Sequence, residues 1–152
     1  MSYDGLLKEA TLQGAQVFER PLRATIKGLY GNNIIWINRN LTVREKTCVL
    51  AEEIGHHHTS SGNILDQTKL TNRKQEKSAR NWAYNRMVPL RSFISAYKAG
   101  IKNRYELAEY LNVIEDFLTA AIVHYQEKHG LYIEIDGYII MFEPLMVIEP
   151  FE

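Results

Sequence analysis

The sequence predicts an α+β fold, with helices dominant and small β pieces at both ends of the chain. Two kinds of local signal carry that expectation. Three capping boxes, Thr42-Val43-Arg44-Glu45, Asn72-Arg73-Lys74-Gln75 and Asn103-Arg104-Tyr105-Glu106, each stand ahead of a run suited to a helix. Two turn signals, "GNN" at 31–33 and Asp136-Gly137, are flanked by β-branched and aromatic residues, the composition of tight hairpins.

Taken in order, "YDGLLKEATLQGAQVF" suits an N-terminal helix with Leu6, Leu7 and Ala10 on one side. "ATIKGLY" and "IIWIN" are then the strands of a hairpin closed by "GNN". A helix should open near Val43, run through "VREKTCVLAEEIGHHH" and stop around residues 59–62. Residues 60–72 have the polar, turn-forming composition of a loop. The second capping box opens "RKQEKSARNWAYNRM", which Pro89 terminates. A further helix, "LRSFISAYKA", ends at Gly100 in the usual position after a helix. The third box starts "RYELAEYL", followed by a break at Asn112 and by "IEDFLTAAIVHYQEKH" up to Gly130. The tail is expected to form a β-hairpin about Asp136-Gly137, with "LMVIE" as a candidate further strand.

The 152 residues fit one domain with a core large enough to fold unaided. With 45% hydrophobic and 24% charged residues, the balance is that of a soluble globular protein. A single cysteine, Cys48, excludes an internal disulfide and a cysteine-rich zinc module, and points to a reducing compartment. "MSYDGLLKEA" lacks the pattern of a signal peptide, and acids interrupt the most apolar stretch too often for a membrane span. These features predict a cytoplasmic protein. Its net charge is zero but divided: residues 1–100 hold 15 Lys/Arg against 8 Asp/Glu, and residues 101–152 hold 3 against 10.

The chemistry concentrates in "LAEEIGHHHTS", residues 50–60, which holds three of the five histidines. On a helix, Glu52 and His56 lie one turn apart on the same face and could grip one cation. Glu53 projects about 100° around the axis from Glu52, where a general base would stand to deprotonate the attacking water. This is the geometry of the H-E-x-x-H metallopeptidase helix, with Glu52 where the first histidine belongs. A catalytic metal also needs a third protein ligand, and Glu76 on the next long helix is the natural donor. Other readings of the same residues stay open. Histidines at a helix C-terminus can simply complement its dipole, and Glu76 can pair with Arg80 one turn away. A shifted frame pairs Glu53 with His57 but leaves Ile54 in the base position, where it cannot take a proton. His57 and His58 otherwise fall behind the ligands or on the surface, and either could substitute if the helix ended early.

"CVLAEEIGHHHTS" followed by "RKQEKSARNWAYNRMVP" resembles the ImmA/IrrE family of metallo-endopeptidases of phages and integrative elements. Members pair an H-E-L-G-H helix with a downstream E-x-x-A-x-x-F/W-A helix. Here Glu53-Ile54-Gly55-His56 matches the first motif and Glu76, Ala79, Trp82 and Ala83 match the second. The resemblance covers residues 22–90 most fully, with 101–152 as an acidic helical and β extension of the same domain. It implies a zincin-like helical core, His56 and Glu76 as metal ligands and Glu53 as the base. It also implies a divalent metal, zinc in the first instance, and a helix-turn-helix repressor as the protein substrate. The departure is Glu52 at the first ligand position. A carboxylate can bind zinc, but a set of two carboxylates and one imidazole is harder and raises the prospects of manganese or iron. It should also weaken Lewis acidity, since added ligand charge offsets the pull of the metal. A non-catalytic anti-repressor on the same fold, with an altered metal site, is the alternative.

"YELAEYLNVIEDFLTAAIVHY" has the outline of a helix-turn-helix with the wrong charge for DNA. Its second helix begins Ile114-Glu115-Asp116 and reaches no Lys or Arg before Lys128, so carboxylates would face phosphates. Direct nucleic-acid binding is not expected. The basic run at 69–86, with 6 Lys/Arg and one acid, is a solvated helix face or a partial offset to the carboxylates of the site.

Overall fold

The computed structural model describes residues 1–59 and 69–149, the side chains of residues 69–72 excepted. The described residues form six helices and two three-stranded sheets, so the α+β expectation holds. Two compact units result, Met1–Ala83 and Tyr84–Glu152.

The first unit opens with α1 (Tyr3–Leu12), whose N-cap Ser2 accepts a hydrogen bond from the Gly5 N–H. The helix expected as far as Phe18 stops early. Gly14 takes φ 84°, a left-handed turn that a helix cannot continue through, and the chain leaves as strand β1 (Gln16–Arg20). That strand pairs in parallel with β3 (Ile34–Asn38), which pairs antiparallel with β2 (Gly28–Gly31), giving the order β1-β3-β2. The β2–β3 turn is the expected tight one: Asn32 and Asn33 both adopt positive φ, the conformation a two-residue type I′ loop needs. Strand β2 is shorter than "ATIKGLY" suggests. The buried Asn38 amide reaches the carbonyl oxygens of Leu22, Arg23 and Ile26, and this draws residues 22–26 into a turn instead of a ladder.

Helix α2 (Val43–Thr59) starts where the first capping box places it. The Thr42 N–H donates to Glu45 Oε1 at 3.0 Å, and the Glu45 N–H donates to Thr42 Oγ1 at 3.2 Å. Helix α3 (Lys69–Met87) begins ahead of Asn72, so the helix has absorbed residues 69–72 of the expected loop. The rest of that loop, residues 60–68, lies outside the described residues. Ala51 and Gly55 on α2 and Ala79 and Ala83 on α3 are all buried. Small residues four apart on both helices let the two backbones approach closely. A Cβ built on Gly55 would run into the backbone of Ala79.

In the second unit, α4 (Leu90–Lys98) ends with Gly100 at φ 82°. Asn103 caps α5 (Arg104–Leu111) by accepting from the Glu106 N–H, and Glu106 reaches back to the Lys102 N–H, one residue earlier than the box requires. Asn112, left-handed at φ 58°, turns the chain into α6 (Glu115–His129). Strands β4 (Tyr132–Ile135) and β5 (Tyr138–Phe142) turn at Asp136 and Gly137, both at positive φ, as the sequence indicates. The expected hairpin is extended to a meander, because β6 (Leu145–Ile148) joins the free side of β5. Tyr125 anchors this core. It is 2% exposed, and its hydroxyl lies 2.7 Å from the Val88 carbonyl oxygen, to which it donates. Burial pushes the phenol up to about 12, so it remains a donor throughout the physiological range. Tyr125→Phe is expected to lower unfolding stability by about 1–2 kcal/mol, read as a lower urea midpoint at unchanged slope. No helix among the described residues is long and apolar enough to cross a membrane.

Candidate metal centre

Along α2, Val49, Glu52, Glu53 and His56 recur at three- and four-residue spacing and share one side of the helix. Gln75, Glu76 and Arg80 of α3 and residues 25–30 complete a cleft of about 600 Å³ around them. The close crossing at Gly55 and Ala79 is what lets short side chains meet across the two helices. His56 Nε2 lies 2.9 Å from Glu76 Oε2. The other oxygen of the same carboxylate, Oε1, lies 3.1 Å from Arg80 Nε. The sequence left pairing of Glu76 with Arg80 as an alternative to the site; the structure has Glu76 contact both partners at once.

Glu53 is 8% exposed. The β2 backbone lies against it, and a Cβ on Gly28 would collide with Val49 and press on Glu53 Cγ. Only glycine allows the strand this near. Burial, reinforced by the charges of Glu52 and Glu76, pushes the Glu53 carboxyl up to about 8. Glu52 is raised for the same first reason, burial, with Glu76 adding to it and Arg80 and Lys27 opposing. Three carboxylates share one cleft, and two of them are raised above their ordinary value chiefly by burial.

The structure thus brings Glu52, Glu53, His56 and Glu76 to one cleft and leaves His57 out of its lining. His57 Nε2 is 2.6 Å from the Gln13 carbonyl oxygen and its Nδ1 is 2.7 Å from the Tyr30 hydroxyl. A carbonyl only accepts, so Nε2 carries a proton and donates to Gln13, while Nδ1 is engaged with the Tyr30 hydroxyl. With both ring nitrogens engaged, the frame pairing Glu53 with His57 gains no support from this geometry. His58 is exposed and packs against Trp82, ring centroids 5.4 Å apart.

The donor chemistry fits a divalent cation: an imidazole and two carboxylates from neighbouring helices, with a further carboxylate at hand. Among the described residues, however, no three His, Cys, Asp or Glu side chains stand as a group able to hold a metal ion. Both oxygens of Glu76 are engaged by other side chains, His56 on one and Arg80 on the other.

The family model of the IrrE N-terminal-like domain, Peptidase_M78, matches residues 10–122. The chain belongs to the ImmA/IrrE family. Comparison with curated proteins gives no match. Membership in the ImmA/IrrE family supports a metallopeptidase-type function in general, and that family generally implies a divalent metal, usually zinc. The match runs beyond residues 22–90, reaching back into α1 and forward into α6, so the helix-turn-helix look-alike lies largely inside it. Sequence reasoning missed the wall that residues 25–30 build, Lys27, Gly28 and Tyr30 among them, all from the first sheet and its approach. Gly28 alone left a usable signal, since a glycine inside a strand pattern marks close approach of another backbone or side chain.

Proposed function

We propose that this ImmA/IrrE-family chain is a metal-dependent endopeptidase that hydrolyses a peptide bond in a protein substrate. The observation that supports it is the meeting of His56 and Glu76, from two helices, in a cleft that also takes Glu52 and Glu53. Glu52, His56 and Glu76 would hold the ion, zinc in the first instance, with manganese or iron admitted by the two carboxylates. The ion supplies Lewis acidity for the scissile carbonyl. Glu53 is the general base: it takes a proton from the attacking water and passes it to the leaving amine. Burial raises the proton affinity of Glu53 towards neutrality, and a bound cation would lower it again, towards the ionised form that a base needs.

The resemblance supplies the substrate class, a phage or mobile-element helix-turn-helix repressor cleaved to relieve repression, in a cytoplasmic setting. No duplex-binding role is proposed, since Glu115 and Asp116 open α6. One observation favours the second reading, a non-hydrolytic anti-repressor. Glu76 is already paired with a built-in cation, Arg80, beside a carboxylate that replaces the first imidazole. Incubating the protein with a candidate repressor separates the two. Peptide hydrolysis that stops with a chelator and returns with Zn²⁺ or Mn²⁺, and that His56→Ala lacks, is the expected result. A stable complex with an intact repressor, indifferent to metal, would decide for the binder.

A further inference from the structure

Arg80 is a charged group in the cleft to which the hydrolytic reading assigns no task. It sits one turn from Glu76 on α3, a spacing that favours a pair between opposite charges. Its Nε contacts Glu76 Oε1 at 3.1 Å while His56 holds Oε2. A guanidinium there acts twice against an incoming dication. It occupies lone pairs that a metal would need, and its positive charge repels the ion. The same charge reaches Glu52, the other carboxylate ligand of the proposed set. We propose that Arg80 competes with the divalent metal for Glu76, so that it sets the metal affinity of the site and must leave the carboxylate before the ion is held.

The setting suits a displaceable partner. The Arg80 side chain is 53% exposed and Glu76 43%, so water is available to the guanidinium once it turns away. An exposed pair of this kind is weak and separates at little cost. His56 is the more enclosed of the three, at 23%, and stays as the fixed donor. The competing role for Arg80 is that of a buttress: a cation that holds Glu76 aimed at the ion and so strengthens binding. Buttress and competitor predict opposite signs.

The inference rests on the metal-site reading, and the test keeps the two apart. Chelator-stripped full-length protein is titrated with Zn²⁺ and separately with Mn²⁺ by calorimetry, for wild type, Arg80→Gln and Arg80→Lys, with circular dichroism confirming the fold of each. Arg80→Gln is expected to bind about tenfold more tightly than wild type, because a nearby positive charge and its ion pair are both removed. Arg80→Lys keeps charge and spacing and is expected to stay near wild type. Wild-type binding with equal or weaker binding by Arg80→Gln overturns the competition alone. Tight binding by Arg80→Lys overturns its electrostatic basis. Absence of binding by all three proteins overturns the metal site itself, and the competition with it.

Discussion

Glu53→Gln is expected to lower peptide hydrolysis by roughly 10²–10⁴-fold while leaving metal binding intact, since a positioned general base contributes about that much. Gln fills the same volume and cannot take a proton. Loss of the metal along with activity would mean that Glu53 is a ligand, and the frame would have to shift by one residue. The same substitution has a readout that needs no substrate. In the metal-free protein the Glu53 carboxyl sits at about 8, raised by burial from an ordinary value of 4.5. The fold therefore holds a proton that the unfolded chain has released, and unfolding is favoured progressively as pH rises between those two values. The stability this group contributes is full below about pH 4.5 and gone above about pH 8. A tenfold difference in proton affinity is worth ~1.4 kcal/mol, and neighbouring Glu52 can take up part of the proton load, so the gain for Gln at pH 8 is on the order of 2 kcal/mol. Thermal denaturation in chelator should show Glu53→Gln more stable than wild type at pH 8 and level with it near pH 4.5. Equal melting at both would place Glu53 in a far wetter setting than the cleft around it implies.

How much of this could be read beforehand depended on whether the cause was local. The α2 start, the Asn112 break and the Asp136-Gly137 turn are each fixed by side chains within three residues of the event, and the structure places them as expected. The helix through Phe18 failed because apolar spacing outvoted one glycine; Gly14 decides that segment through a backbone angle that spacing does not record. Strand β1 then needed a partner, β3, eighteen residues on and beyond β2, a parallel pairing that no local pattern announces. The site divides the same way. Glu52 and His56 follow from helical periodicity, and the approach of Glu76 follows from the paired motifs. The wall over Glu53 is a long-range matter. It exists because Gly28 has no side chain and Asn38 gathers the chain ahead of it, two facts that become one only in three dimensions.

The crossing of α2 and α3 carries the largest structural effect, and Gly55→Ala is expected to damage fold and site together. The added methyl would meet backbone, the Ala79 carbonyl, and not the yielding end of a side chain. One helix must shift against the other. Replacing glycine by alanine inside a helix ordinarily gains about 1 kcal/mol, so the propensity term opposes the clash. Overpacking of this kind costs typically 1–3 kcal/mol, and against rigid backbone the upper end applies, so a net loss of about 2 kcal/mol is expected by urea denaturation. Gly31→Ala is the matched control: its methyl would meet nothing within 4 Å, and it should leave stability nearly unchanged. The second consequence distinguishes a positioning effect from simple weakening. Because His56 follows Gly55 directly and Glu76 lies three residues from Ala79, separating the helices pulls apart the two donors that stand 2.9 Å from each other. Metal affinity of Gly55→Ala, measured at a temperature where the protein is fully folded, should therefore fall, while Tyr125→Phe, which weakens the other unit, should bind as wild type does. If Gly55→Ala folds with wild-type stability and holds metal equally well, close approach of these two helices is not what assembles the donors, and the pairing of His56 with Glu76 must be sustained from elsewhere in the cleft.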